Sequence, residues 1–198
     1  EGEIGAALLE EVPDSTPLQK ELLEIRGLYF EEIFQPAHAL AVYERLAELA
    51  SPPEKIRLKC VQLAGELGRL AVVRHHLAAF DLAGADPQTV LIAAGALTGC
   101  GAYDEALAHY RRLLAAAGED AGGERQEILL AMAALYRSAE LPYEAAQAYR
   151  MILPWGREVA AALEGLFELA LEADAFAEAE IWLNRLARIQ NGPARDLL

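Results

Sequence analysis

The chain repeats itself, and that constrains its fold more than any other feature. Residues 101–114 read Gly-Ala-Tyr-Asp-Glu-Ala-Leu-Ala-His-Tyr-Arg-Arg-Leu-Leu, and residues 143–153 read Tyr-Glu-Ala-Ala-Gln-Ala-Tyr-Arg-Met-Ile-Leu. Both carry Glu-Ala, then Tyr-Arg four residues after the Ala, then aliphatics. Residues 176–186 and 36–46 echo the same pattern. The small residue of each copy is Ala39, Ala106, Ala145 or Ala179, and Val73 fills the gap. These five anchors advance by 34, 33, 39 and 34 residues.

Larger residues follow each anchor in register. Four positions on stand Tyr43, Leu77, Tyr110, Tyr149 and Leu183, and seven positions on stand Leu46, Phe80, Leu113, Ile152 and Leu186. At 3.6 residues per turn the three columns share one helix face. Twelve positions before the anchor stand Gly27, Val61, Ala94, Ala133 and Phe167. Each copy therefore predicts two helices, with small residues where they approach. Hydrophobic residues make up 54% of the chain, much of it Ala and Leu, which favour helix. One such helix pair cannot bury its apolar face alone, so neighbouring copies must complete the core.

This pattern resembles the tetratricopeptide repeat family, whose period is 34 residues. The resemblance implies an all-α fold, a right-handed α-solenoid of helix-turn-helix hairpins with about five full repeats and partial repeats at both ends. It implies one domain over 1–198: a lone second helix at 1–12, repeats at 18–53, 54–86, 87–125, 126–159 and 160–193, and a further first helix opening at 194–198. Neither end reads as a polar cap, which predicts an internal slice of a longer array. The family's tryptophan position holds Leu23, Arg57, Val90, Leu129 and Leu163 instead. Val61 and Phe167 also depart from its small-residue column. Repeats one, three and four match well, repeat two is degenerate, and repeat five matches only in its second helix.

Turn chemistry agrees. Pro13, Pro17, Pro52 and Pro53 fall between helices, and Asp86-Pro87 predicts a capped helix start. The 39-residue step is explained by an insertion at 118–123, Gly-Glu-Asp-Ala-Gly-Gly.

Net charge is −14, from 31 acidic and 17 basic residues. Nucleic acid is a poor partner for such a chain, because binding it needs cations that displace counterions. No apolar run reaches the roughly 18 residues that span a bilayer. A basic protein or a cationic polymer is electrostatically easier.

The sequence contains no motif for catalysis, cofactor or metal. Nucleophile elbow, phosphate loop, dinucleotide fingerprint and zincin motif are all missing. His75 and His76 are adjacent, so they point about 100° apart on a helix and do not chelate from one face. Cys60 falls at a packing position, and Cys100 ends a helix beside glycines with no basic neighbour to activate it.

The resemblance further implies that first helices line a concave surface. Its outward positions are Glu21, Glu24, Leu28, Glu31 and Glu32 in repeat one, and Lys55, Leu58, Gln62, Gly65 and Glu66 in repeat two. Repeat three supplies Gln88, Leu91, Gly95, Thr98 and Gly99, and repeat four Glu127, Leu130, Ala134, Arg137 and Ser138. Repeat five supplies Ala161, Glu164, Glu168, Leu171 and Glu172. The groove so described is acidic at both ends. Gly95 and Gly99 either form a floor that admits a peptide closely or ease helix packing. The family's carboxylate clamp is missing, since Glu24 and Leu28 occupy those places. The expected function is a non-enzymatic protein-interaction scaffold for a basic or amphipathic partner. The alternative rests on similarity to bacterial exopolysaccharide-export proteins, whose tetratricopeptide stretches lie in the periplasm. It implies a segment that recruits a polymer-modifying enzyme or guides a cationic polysaccharide. The two place the chain in periplasm or cytoplasm. No concave position is aromatic, which favours the protein partner over a sugar.

Overall fold

The computed structural model describes residues 17–48, 53–117, 122–154 and 159–190. The partial repeats expected at 1–12 and 194–198 lie outside the described residues, as do positions 118–121 of the insertion. Among the described residues there are ten α-helices and no strand, so the fold is all-α. They are α1 (Pro17–Glu32), α2 (Pro36–Glu48), α3 (Glu54–Glu66), α4 (Leu70–Leu77), α5 (Pro87–Gly99), α6 (Tyr103–Ala116), α7 (Gly122–Ser138), α8 (Pro142–Ile152), α9 (Val159–Glu172) and α10 (Phe176–Gln190). The chain divides into two compact units, residues 1–102 holding α1–α5 and residues 103–198 holding α6–α10.

Local chemistry sets where these helices begin. α1, α2, α5 and α8 open on proline, whose fixed φ suits the first turn and whose missing N–H is not needed there. Asp86 caps α5: its Oδ1 accepts from the Thr89 backbone N–H at 3.1 Å, and its Oδ2 accepts from the Thr89 hydroxyl at 2.6 Å. α7 starts inside the expected insertion, so Gly122 and Gly123 are helical. Glycine is tolerated in a first turn, where it costs less order than in a helix interior. Arg125 of α7 reaches back and donates to the Leu114 and Ala117 carbonyls, at 3.1 and 3.0 Å, at the end of α6.

Where the first helices end, one turn recurs. Phe34, Gly68, Gly101, Glu140 and Asp174 all adopt left-handed backbone, with φ between 54° and 74°. In each case the next residue's N–H bonds back to the carbonyl five residues before this one's successor, the wide bond of a Schellman turn. These bonds are Gln35 to Phe30, Arg69 to Ala64, Ala102 to Leu97, Leu141 to Tyr136 and Ala175 to Ala170, at 2.8–2.9 Å. The companion narrow bond is present every time, for example Phe34 to Glu31 at 3.0 Å. The left-handed residues are spaced 34, 33, 39 and 34 apart, the same steps as the anchors. Each second helix starts two residues later, and each anchor lies five residues later.

The anchors are buried as the pattern requires. Ala39, Val73, Ala106 and Ala145 are fully buried and Ala179 nearly so. In unit one, α1 packs on α2, α2 on α3, and α3 on both α4 and α5. The Tyr43 ring lies on Gly27, where an added Cβ would stand 2.6 Å from it. α3 and α5 meet through small residues. A Cβ on Gly99 would lie 2.5 Å from the Gly65 carbonyl oxygen, and one on Gly65 would lie 2.5 Å from Ala96 Cα. In unit two, α7 packs on α6 and α8, and α9 on α8 and α10. Its core joins Leu129, Ala133, Ala145, Tyr149, Ile152, Ala162 and Leu166.

Three positions depart from the expected packing. Leu183 is exposed, whereas Ala179 and Leu186 of the same helix, which packs on α9, are buried. Phe167 is only half-buried. The close approach in α9 falls instead on Gly165, two residues earlier, which lies beneath the Tyr149 ring. Phe80 lies beyond α4, which stops at Leu77 and is the shortest second helix.

Open space surrounds the Cα hydrogens of Gly68 and Gly101, so only backbone conformation opposes a side chain there. Gly68→Ala or Gly101→Ala should cost about 1 kcal/mol, while Glu140→Gly and Asp174→Gly should each gain about 0.5–1 kcal/mol. Gly99→Ala should lower stability despite the better helix propensity of alanine, about 1 kcal/mol, because the clash with backbone costs roughly 1–3 kcal/mol. Urea unfolding monitored by circular dichroism checks all five signs.

Candidate functional site

The sequence-predicted concave residues divide between the two units, and each set has its own geometry. In unit one, Glu21, Glu24 and Glu32 of α1 are exposed, as are Lys55, Gln62 and Glu66 of α3 and Gln88 of α5. Glu31 is different. Its carboxylate accepts from the Tyr43 hydroxyl at 2.5 Å and from Lys59 Nζ at 2.6 Å, so one side chain ties α1 to α2 and α3. Burial raises the pKa of Glu31, but the Lys59 and Tyr43 hydrogen bonds outweigh it and hold the carboxyl below its ordinary value. Burial and the adjoining carboxylate push the Tyr43 phenol well up, so it stays a donor. Thr98 spends its hydroxyl on the Ala94 carbonyl of its own helix at 2.9 Å. Gly65 and Gly99, placed on the groove by the sequence pattern, touch each other and serve packing.

In unit two, Glu127 and Ser138 of α7 and Glu164, Glu168 and Glu172 of α9 are exposed. Arg137 bonds to Glu168 through Nη1 and to Glu172 through Nη2, the latter at 2.9 Å. Glu168 and Glu172 are one turn apart on α9, a spacing at which like charges repel. The guanidinium between them removes that repulsion and links α7 to α9. These three residues are therefore satisfied by one another. The Ser138 carbonyl accepts from the Tyr103 hydroxyl at 2.8 Å.

The groups considered for chemistry take ordinary roles. Cys60 is fully buried, and burial pushes its thiol up to about 12; such a thiol is not a nucleophile at neutral pH. Cys100 is half-buried and its pKa is raised by burial. His75 and His76 meet edge to face, with ring centres 5.1 Å apart. His76 is buried, its Nδ1 has no hydrogen-bond partner, and burial, with His75 and Arg57 close by, depresses its pKa. Among the described residues no group of three or more His, Cys, Asp or Glu is arranged to hold a metal ion, and no helix is long and apolar enough to cross a membrane.

A shallow pocket in unit two opens between α8, α9 and α10. Tyr143, Ala146, Leu166, Leu169 and Ala170 line it, and the Arg150–Glu178 ion pair, 2.9 Å, lies on its rim. Its volume of about 180 Å³ is below the 300–1,000 Å³ usual for a small-molecule site.

Sequence reasoning missed two features. Lys59 is the cation bonded to Glu31; it lies off the concave positions, and its reach across helices has no local signature. The other is a run of exposed apolar side chains beside the expected concave position Leu28: Ile25 and Tyr29 on α1, and Ile33 and Phe34 just past its end. Its signal was present as helical spacing on a face that the concave positions only graze. Beneath it, the Phe30 ring stacks on His38 with centres 5.2 Å apart, and Arg26 lies 5.5 Å from the Phe30 centre.

No family model matches this chain, and no curated protein matches it.

A depressed carboxyl pKa contributes stability that is present above the unfolded value and is lost as pH falls through the folded one. Glu31→Gln should therefore cost about 1 kcal/mol at pH 7, a figure kept small because the group is partly solvated. The difference from the wild type should shrink as pH drops below the ordinary glutamate value of 4.5. Paired urea titrations at neutral and acid pH measure both arms.

Proposed function

We propose that the chain is a non-enzymatic scaffold of tetratricopeptide-like hairpins, stacked as a right-handed α-solenoid, that binds a basic or amphipathic protein through acidic first-helix surfaces. The observation that carries the repeat reading is the recurrence of one Schellman turn in step with five buried anchors. Recurring hairpins that leave their first-helix outer positions unburied are suited to holding an extended partner. In unit one the surface is Glu21, Glu24, Glu32 and Glu66, with Lys55, Gln62 and Gln88 beside them. In unit two it is Glu127 and Glu164, next to the Arg137 cluster. Acidic surface of this kind steers a cationic partner and makes binding salt-dependent. The concave positions hold no aromatic residue on which a sugar face would stack, and this supports a protein partner over a polysaccharide.

The test uses a lysine-rich peptide as probe. Glu21→Lys, Glu24→Lys and Glu32→Lys together should weaken its binding about tenfold or more and flatten the salt dependence. Glu31 is left unchanged because its loss breaks the contacts to Tyr43 and Lys59. Unchanged affinity in calorimetric titrations at low and moderate salt would rule out this surface.

A further inference from the structure

Five residues occupy the same left-handed turn position: two are glycine, and Glu140 and Asp174 are polar side chains exposed to water. Glycine has no Cβ penalty there, and a short acidic or polar side chain stands free in water at modest cost. Phe34 is the exception. A bulky side chain at positive φ is an outlier that strains the backbone. Burial of the ring would offset that cost, but the ring is 91% exposed. Folding alone therefore gives no reason for phenylalanine at this position, and retained strain of this kind points to function.

Its surroundings point the same way. Ile25 and Tyr29 on α1 and Ile33 just past its end recur at four-residue steps and are 63%, 48% and 39% exposed. They lead directly to Phe34. Glu21, Glu24 and Glu32 are exposed on the same side of the helix, whose opposite side buries Gln19, Leu23 and Gly27. An apolar stripe bordered by acids is complementary to an apolar stripe bordered by bases. A second copy of the chain fits poorly, since it carries a net charge of −14 and would bring acid against acid.

We infer that the outer face of α1, ending at Phe34, is a docking surface for an amphipathic helix whose apolar stripe is edged by lysine or arginine. This deepens the protein-binding reading and rests on it: the acids steer the partner, and the exposed stripe anchors it. The ring of Phe34 is the outermost anchor, held clear of α1 by the left-handed turn.

The probe is a synthetic helical peptide with a leucine stripe and lysines elsewhere, compared with a twin bearing glutamates in place of the lysines. The full chain should bind the lysine peptide and not the glutamate one. Phe34→Gly should weaken binding about tenfold while raising the unfolding midpoint, a pairing that a structural role does not produce. Ile25→Ser with Tyr29→Ser should weaken it at least as much. If charge reversal at Glu21, Glu24 and Glu32 abolishes binding but Phe34→Gly and the serine variant do not, the docking surface is refuted and the acidic-scaffold reading stands. If none of these changes affects binding, or the glutamate peptide binds equally, both fail. Phe34→Trp gives an independent readout, by difference against the native tryptophans. Water-like emission in the free chain that shifts blue with peptide supports the surface. Blue-shifted emission before any peptide is added would overturn it. In that case dependence on protein concentration would assign the face to a second copy, and independence to another part of the same chain.

Discussion

The structure depends on a pair of backbone hydrogen bonds that closes every first helix. The wide bond, such as Leu141 to Tyr136 at 2.8 Å, satisfies a carbonyl the helix leaves open and turns the chain through one left-handed residue. The second helix then begins two residues on, and its fourth residue is the buried anchor. Within a unit the turn fixes how near the two helices it joins can lie, and a small anchor fits that spacing. A Leu at Ala145, for instance, would meet a fully packed site. Close approach takes two forms. A tyrosine ring lies over glycine in both units, Tyr43 on Gly27 and Tyr149 on Gly165, while unit one also sets glycine against backbone at Gly65 and Gly99.

Much of this was legible in the sequence, because repetition is a long-range signal that local propensity lacks. Alanine anchors, the tyrosine column and Asp86 before Pro87 all pointed to the elements that form. The left-handed turns were less visible. Gly68 and Gly101 announce themselves, but Phe34, Glu140 and Asp174 do not carry the residue type that such turns prefer. Phe167 stood out in the sequence as a departure from the small-residue column, and the glycine that takes the close approach lies two positions earlier, at Gly165. Leu183 was misread because a packing column implies a neighbour, and α10 buries Ala179 and Leu186 instead.

The surface was legible in charge but not in connectivity. Counting acids at the concave positions found Glu31, Glu168 and Glu172, yet all three are engaged with Lys59, Tyr43 or Arg137. Such pairs join residues 28 or more apart in sequence, except the 12-residue step to Tyr43. Only coordinates reveal which carboxylates are spent on holding helices together and which remain for a partner. The exposed stripe of α1 was overlooked for the opposite reason. Its spacing is plain, but a search confined to one face does not see it.

The contact between Gly65 and Gly99 has a mechanical consequence. Where side chains separate two helices, rotamer changes let the helices roll and creep against each other. Here peptide groups meet with nothing between them to reorient. α3 and α5 are thus joined as by a riveted plate, with no side chain at the Gly65–Gly99 contact whose rotamer change could let them roll.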